Sequence, residues 1–508
     1  MPMNALNRVR RLDSDRVPPT LVLILTVCLM IYYSGPICPD VSGQFWLARA
    51  MRNGSRLYVD IVEINPPLWF WMAMPVDWIA QVLGVRSVPV TILIVGLLVL
   101  AVVKGAARLL RLGGTTPSPL YLGYLALILL IMPMNQLEQR EHLALLGAVP
   151  YLMLAAVRRQ QRAADPWLAV LIGAGAALGF ALKPYFLAVP LLTEFWLLTA
   201  LRRQWRPFRV ETMALALTGG AYGFSVLIFT PQYFSIVVPQ QIPVYQLSGP
   251  AVGESLGALP WLWGFMIAGI AAHWRPIVRN RAPATIAFLC GAAGFGLAYF
   301  VQHKGWLYQG LPATGCLALA LGAVQAETGR ARGLVRLFVP ALMALPLSLP
   351  LVKTELTIGP ANDIAPAVAD LKRGDGLGLI SPLGAADWPA TTGRDLRLSS
   401  RFGQYWMLAA FDKHPHDARV RQFAYQAIRD TALDYRCLPP KVIVFTRFHV
   451  RSRNVPTVDD PYPFFMADPA FAAVMSHYRL WKKYGIFEAY HQVTPIAPVD
   501  PSNCRNPG

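Results

Sequence analysis

Residues 35–86 read GPICPDVSGQFWLARAMRNGSRLYVDIVEINPPLWFWMAMPVDWIAQVLGVR and lie between two long apolar runs. A connection of that length inside a compact domain is functional or disordered. Its content of Trp, Tyr, Phe and Leu argues against disorder. Three of its carboxylates, Asp40, Asp60 and Glu63, therefore call for a role.

The rest of the chain explains the setting of this loop. Of 508 residues, 55% are hydrophobic and 15% charged, against about 25% charged in a soluble domain. The net charge is +18. Nucleic acid as a partner is set aside, because the basic residues fall in short clusters between apolar runs and not along one surface. A lipid bilayer is the expected surrounding.

Spans of about 20 mostly apolar residues are expected at 18–34, 87–109, 118–134, 141–157, 167–182, 185–201, 212–229, 257–272, 283–301, 307–325 and 334–352, which makes about eleven. The basic clusters are Arg8–Arg16, Lys104/Arg108/Arg111, Arg158/Arg159/Arg162, Arg202/Arg203/Arg206/Arg209, Arg275/Arg279/Arg281 and Arg330/Arg332/Arg336. The positive-inside rule puts each of them on the cytoplasmic side. Parity then requires an even number of crossings between the first two clusters, and 18–34 with 87–109 already supplies two. Residues 67–83, which open with Pro66-Pro67 and contain Pro75 and Asp77, are accordingly read as an amphipathic helix on the outer membrane face. The first apolar run has the basic flank of a signal peptide without an evident cleavage site, and is read as an uncleaved first span.

This gives a polytopic α-helical membrane protein in three parts. Residues 1–17 form a basic cytoplasmic tail and 18–352 the transmembrane domain, with its large outer loop 35–86. Residues 353–508 form a polar extracytoplasmic domain. In that last part, short strand-like runs (377–380, 442–445) alternate with helix-like runs (416–429, 469–483), which suggests a small α/β unit. The expected location is a bacterial inner membrane, multi-pass, with the N-terminus cytoplasmic and the last domain periplasmic. Six cysteines show no metal-ligand spacing; Cys437 and Cys504, in the polar domain, are a possible pair in an oxidising compartment.

The polar residues that look out of place collect on the outer side. Asp40 follows the first span, and Glu138, Arg140, Glu141 and His142 stand in NQLEQREHLAL. Lys183 stands in ALKPYF, and His303, Lys304 and Gln309 in VQHKGWLYQGLP. Ionisable groups at membrane depth are functional candidates by default. Each also has a plainer reading. Asp40 stands where a helix starting at Val41 would take an N-cap, and Glu138, Arg140 and Glu141 can form a local ion cluster. His142 enters an apolar run as a satisfied buried histidine would, while Lys183 and His303/Lys304 can anchor at the interface.

A mixture of carboxylates and cations at one membrane face suits group transfer from a phosphate. A carboxylate accepts the proton of an attacking hydroxyl, and cations stabilise charge building on the leaving group. No P-loop or dinucleotide fingerprint is present, so a lipid-borne donor is expected and not a nucleotide.

The order DVSGQFWLARAMRNG, then RLYVDIVEINPPLWFW, resembles the first outer loop of the GT-C glycosyltransferases, in the branch with protein O-mannosyltransferases and lipid A aminoarabinose transferases. QREHLALLGAVPYL, LKPYFLAVPLLTE and HKGWLYQGLPA resemble later outer-face segments of its bacterial members, so that the likeness covers roughly residues 18–350. It implies an inverting glycosyltransferase, hexosyl or pentosyl, moving a monosaccharide from a polyprenyl-phosphate donor to an envelope glycan, glycolipid or protein. Asp40 would be the base, Arg140, Lys183, His303 and Lys304 the donor-phosphate contacts, and Asp60, Glu63, Glu138, Glu141 and Gln309 acceptor or accessory residues. A divalent ion (Mg or Mn) on Asp40 and Glu63 is an open option, and no other cofactor is implied. The chain departs from the mannosyltransferases at Asp40-Val41, where they carry an acidic pair. It departs from the aminoarabinose transferases at Asn65, where they tend to carry Lys. The alternatives are a transporter or flippase for a lipid-linked saccharide, and a polysaccharide polymerase or ligase using a diphosphate-linked donor.

Overall fold

A computed structural model describes residues 38–248, 258–271, 274–279, 282–327, 364–381, 396–447, 461–497, 499–500, 502 and 504. The spans expected at 18–34 and 334–352, and the basic tail 1–17, lie outside these residues.

The other nine expected spans are all helical. Six helical segments are long and apolar enough to cross a membrane: Ser87–Leu112, Arg140–Arg159, Pro184–Gln204, Val210–Phe229, Pro283–Gln302 and Leu307–Glu327. Pro119–Leu130, Pro166–Ala181 and Leu259–Ala271 are shorter and equally apolar. The helices divide by surroundings. Arg140–Arg159 and Leu307–Glu327 are packed on nearly all sides, whereas Val210–Phe229 exposes Leu217, Phe224, Ile228 and Phe229, as a lipid-facing helix does.

Small residues set how closely the helices approach. A Cβ added to Gly173 would lie 2.2 Å from the backbone oxygen of Glu211, and one on Gly294 would lie 2.7 Å from the backbone of Val189. The helix backbones therefore touch at these points, as small residues permit in membrane bundles.

The segment at the head of the chain forms two helices before the first described span. Helix α1 (Pro39–Arg52) begins with proline in its first turn, where a missing N–H costs nothing. Helix α2 (Leu68–Val82) follows the Pro66-Pro67 pair. Asp77, fully buried on α2, accepts from Arg49 at 2.8 Å, Arg52 at 3.0 Å and Ser87 at 2.8 Å. That buried carboxylate ties the end of α1 and the start of Ser87–Leu112 to α2.

The polar C-terminal part contains a five-stranded sheet of order β2-β1-β3-β5-β4. β1 (Gly376–Ile380) runs parallel to both β2 (Arg397–Leu398) and β3 (Val442–Thr446), while β3/β5 and β5/β4 are antiparallel. The long helix α3 (Ala418–Cys437) packs beside it, capped by the Asp417 side chain. The two strands read from sequence are present. The helix-like reading of 469–483 is corrected: Pro469–Met475 is helical, but Tyr478–Tyr484 is strand β4, paired through a Gly485 turn with β5 (Phe487–Gln492). Cys437 and Cys504 form a disulfide.

This domain docks on the membrane domain. Val62 N–H donates to the Arg401 carbonyl at 2.9 Å, with Val62 and Phe402 in a parallel bridge. The Tyr245 and Trp406 rings meet edge-on at 5.4 Å.

Candidate active site

The site is assembled where α1, the 134–140 turn, the 183–184 break and the 303–310 connection meet. Each is placed by local chemistry. The turn between Pro119–Leu130 and Arg140–Arg159 takes left-handed backbone at Met134 (φ 49°) and Glu138 (φ 70°). His142, inside the next helix, holds that turn: its Nδ1 accepts from the Glu138 N–H at 3.0 Å, and its Nε2 lies 2.8 Å from the Leu129 carbonyl. The imidazole is thus neutral, buried and doubly bonded, which is the structural reading of His142. Lys183 adopts extended backbone because Pro184 follows it, and this breaks the helix and turns the lysine towards the bundle.

Asp40 lies in the first turn of α1, and Cys38 occupies the N-cap with no side-chain capping bond. The capping role open to Asp40 is therefore not the one it fills. Its carboxylate is half-buried, and Gln139 Nε2 donates to it at 3.2 Å, the one hydrogen bond to that carboxylate among the described residues.

The neighbouring charges of the 138–141 stretch do not pair with one another. Glu138, buried, accepts from Gln44 and from Trp69 Nε1, so it seats α1 and α2 on the turn. Burial lifts its carboxyl to about 8, against the lowering effect of those two donors. Arg140 points the other way. It donates to the Asn65 side chain and stacks over the Trp69 ring at 4.8 Å. Glu141 is fully buried and accepts from Lys183 at 2.6 Å, while Lys183 also donates to Gln302 at 2.8 Å. Burial lowers the Lys183 ammonium to about 8, with Glu141 opposing that shift.

Glu63 accepts from the Ile64 and Asn65 backbone N–H groups at 2.8 and 2.9 Å and from the Asn65 side chain at 2.6 Å. It thereby orients the amide that meets Arg140. Its carboxyl is raised, mainly by burial, and Asn65 and Arg140 counter this.

Lys304 is buried against the Tyr245 ring, 3.8 Å from its centroid, and donates to the Tyr245 carbonyl and to Ser248 Oγ. Burial, with the charge of Lys413, lowers its ammonium to about 7. Tyr245 lies within electrostatic range of Arg140, Asp40, Glu63 and Glu141, and Lys183 within range of Glu141, Arg140 and Asp40. Asp40, Glu63, Arg140, Glu141 and Lys183 thus belong to one neighbourhood, and Lys304 borders it through the Tyr245 ring.

Three candidates stand differently. His303 is the exposed left-handed cap of its helix. Asp60 is buried and bonded to the Arg56 backbone and guanidinium at 2.8 and 3.0 Å, which shapes the loop. Gln309 is buried beside the site, and its Oε1 has no partner among the described residues. Glu141 Oε2, Arg140 Nε and Gln44 Oε1 are likewise buried and unmatched among them. Unmatched buried polar atoms call for an explanation, and these four lie among the carboxylates and cations.

Among the described residues no group of three or more His, Cys, Asp or Glu is placed to hold a metal ion. Glu63 already spends one oxygen on the 64–65 backbone. The described residues therefore supply no closed ion site.

Sequence reasoning missed Gln139, Asn65, Gln302, Tyr245 and Tyr308 as site residues. Tyr308 lies beneath Lys183, 5.9 Å from ring centroid to ammonium. Gln302 adjoins His303, Gln139 lies between Glu138 and Arg140, and Asn65 stands where the resemblance expects Lys; those are the signals that the sequence offers.

No protein-family profile matches the chain, and no curated protein matches it. Among solved structures it is similar to ArnT from Cupriavidus metallidurans, crystallised with undecaprenyl phosphate. The TM-score is 0.55 at 14% identity, over 94% of this chain and 99% of that one. The chain has the fold of ArnT. The similarity spans both parts, so the α/β unit belongs to the ArnT-type architecture as fully as the helical bundle does. At that identity ArnT likeness establishes the fold, and the chemistry rests on the residues above.

Proposed function

We propose that the chain is an inverting glycosyltransferase of a bacterial inner membrane, with its site and its α/β domain on the outer side. The donor is a monosaccharide on a polyprenyl phosphate, and the acceptor is an envelope glycan, glycolipid or protein. One observation carries this reading. A half-buried carboxylate, Asp40, with a single amide donor to it among the described residues, shares a site with the buried cations Arg140 and Lys183. The ArnT neighbour, solved with undecaprenyl phosphate, supports the class of donor.

The chain's residues act as follows. Asp40 takes the proton of the acceptor hydroxyl as its oxygen attacks the anomeric carbon from the face opposite the phosphate. The bond from that carbon to the phosphate oxygen breaks, and its electron pair leaves with the polyprenyl phosphate. Arg140, Lys183 and Lys304 stabilise the added negative charge in a setting from which water is largely excluded. Gln139 holds Asp40, Glu141 and Gln302 hold Lys183, and Glu63 acts through Asn65 on Arg140.

The test compares envelope glycans and lipid extracts by mass spectrometry in cells with the native protein, without it, or with Asp40→Asn. The expected result is loss of one sugar from an acceptor in both defective strains, with accumulation of a polyprenyl-phosphate sugar. Normal glycans with Asp40→Asn, but defective ones without the protein, would overturn the role of Asp40 and favour a transporter. Accumulation of a diphosphate-linked oligosaccharide would favour a polymerase or ligase.

A further inference from the structure

The loop that carries Glu63 and Asn65 is held from outside the membrane domain. Val62, directly before Glu63, donates its N–H to the Arg401 carbonyl at 2.9 Å and pairs with Phe402 in a parallel bridge. This is one step of sheet between two parts of the chain more than three hundred residues apart. It sits next to the residue that orients Asn65 towards Arg140.

The other side of that bridge is rigid. Arg401 donates its backbone N–H to Asp434 at 2.8 Å and its guanidinium to the same carboxylate at 2.9 Å, with Asp430 at 3.7 Å. Asp434 is fully buried on α3. Ser400, Tyr405 and Thr431 share a buried chain of hydroxyl contacts at 2.9 and 2.8 Å, and Ser400 Oγ also accepts the Phe402 N–H. The Phe402 ring stacks on Tyr405 at 5.2 Å. The guanidinium also lies in the field of Asp60, the buried acid that shapes the same loop. A run of fixed contacts therefore leads from α3 through Arg401 to Val62, and from there through Glu63 and Asn65 to Arg140.

We infer that Arg401 is a positioning residue: the α/β domain holds the active-site loop in register through Arg401 and its bridge to Val62, and so sets the donor-phosphate contact made by Arg140. Within the helical part the same segment is held by the Leu57–Ile61 bridge and by Tyr58, whose hydroxyl donates to the Asn65 carbonyl at 2.6 Å; the Val62–Phe402 bridge adds its register against the α/β part. The kinetic consequence rests on the transferase reading above, but the positional one does not.

The experiment uses the full-length protein in lipid nanodiscs, as native, Arg401→Ala, Arg401→Lys and Val62→Pro, the last deleting the donated N–H while also fixing the local backbone and replacing the isopropyl side chain. Hydrogen exchange is followed in peptides covering 61–66, 376–380 and 442–446. In Arg401→Ala and Val62→Pro, exchange at 61–66 is expected to rise about tenfold or more while both strands stay protected. With a polyprenyl-phosphate sugar as donor, donor KM is expected to rise about tenfold with kcat within about twofold, and Arg401→Lys to recover most of the loss. Unchanged exchange at 61–66 would overturn the inference. So would a parallel loss of protection in the two strands, which would make Arg401 a folding residue of the α/β domain. Faster loop exchange in a protein that transfers no sugar even as the native chain would leave the inference standing and remove the transferase reading.

Discussion

Lys183 reaches Glu141 across the bundle, 2.6 Å from ammonium to carboxylate, with both side chains buried. The pair is not neutral in effect, because burial dominates and lowers the lysine to about 8. The ammonium is present below that value and lost above it. If Lys183 holds the donor phosphate, kcat/KM for the donor falls as pH rises through about 8, since that ratio reports groups of the free enzyme. Glu141 favours the charged lysine, so Glu141→Gln is expected to move the falling limb to lower pH. A pH–rate profile with no alkaline limb, or one unmoved by Glu141→Gln, would refute the assignment.

Asp40→Asn keeps the shape of the side chain and its amide neighbour while removing the base. Turnover is expected to fall by about 10²–10⁴-fold, the usual worth of a positioned general base. Binding of undecaprenyl phosphate should stay within about threefold, because the phosphate contacts come from other segments. Equal losses in binding and turnover would instead make Asp40 a structural residue.

Glu138 predicts a pH-dependent stability. Its carboxyl is raised by burial to about 8, so the folded protein holds a proton there that the unfolded chain releases near 4.5. Stability therefore declines as pH rises from about 4.5 to about 8, the opposite sign to a carboxylate held in an ion pair. Glu138→Gln removes that titration but keeps only one of the two acceptor oxygens that meet Gln44 and Trp69, so the reading is how the difference from the native protein changes with pH. The unfolding temperature of the variant relative to the native protein should rise by about 2 °C or more between pH 5 and pH 8. A constant gap, or one of opposite slope, would contradict the burial argument.

The Cys437–Cys504 bond closes a separation of 67 residues in the C-terminal part. Chain-entropy reasoning gives such a closure roughly 4 kcal/mol, so Cys437→Ser should lower the unfolding temperature of the α/β domain without altering the helical bundle. Thiol labelling of intact cells gives a second reading. The two sulfurs are expected to resist alkylation until reduced, as they would only where the compartment is oxidising.

Much of the architecture is legible in the chain because lipid demands long apolar runs, and nine such runs fall on observed helices. The strand β4 was not legible. YRLWKKY follows directly on a helical segment, and its pairing with β5 depends on a turn at Gly485 that alternation alone does not reveal. The ionisable members of the site stood out against their apolar surroundings. Their partners did not, since Gln139, Asn65 and Gln302 are neutral amides with no spacing rule. Nor does adjacency tell direction: Glu138 and Arg140 are near neighbours in sequence, yet one turns to Gln44 and the other to Asn65, because a left-handed residue and a helix start separate them.

The contacts at Gly173 and Gly294 bring helix backbones together with no side chain between them. Side-chain layers can shear, but abutting main chains have nothing to slide on. A bilayer thicker or thinner than the native one would then tip Pro166–Ala181 with Val210–Phe229, and Pro184–Gln204 with Pro283–Gln302, as joined pairs. Lys183 stands at the head of the second pair and Gln302 at the end of its partner helix, so exchanging short-chain for long-chain lipids should move the lysine together with the amide that holds it.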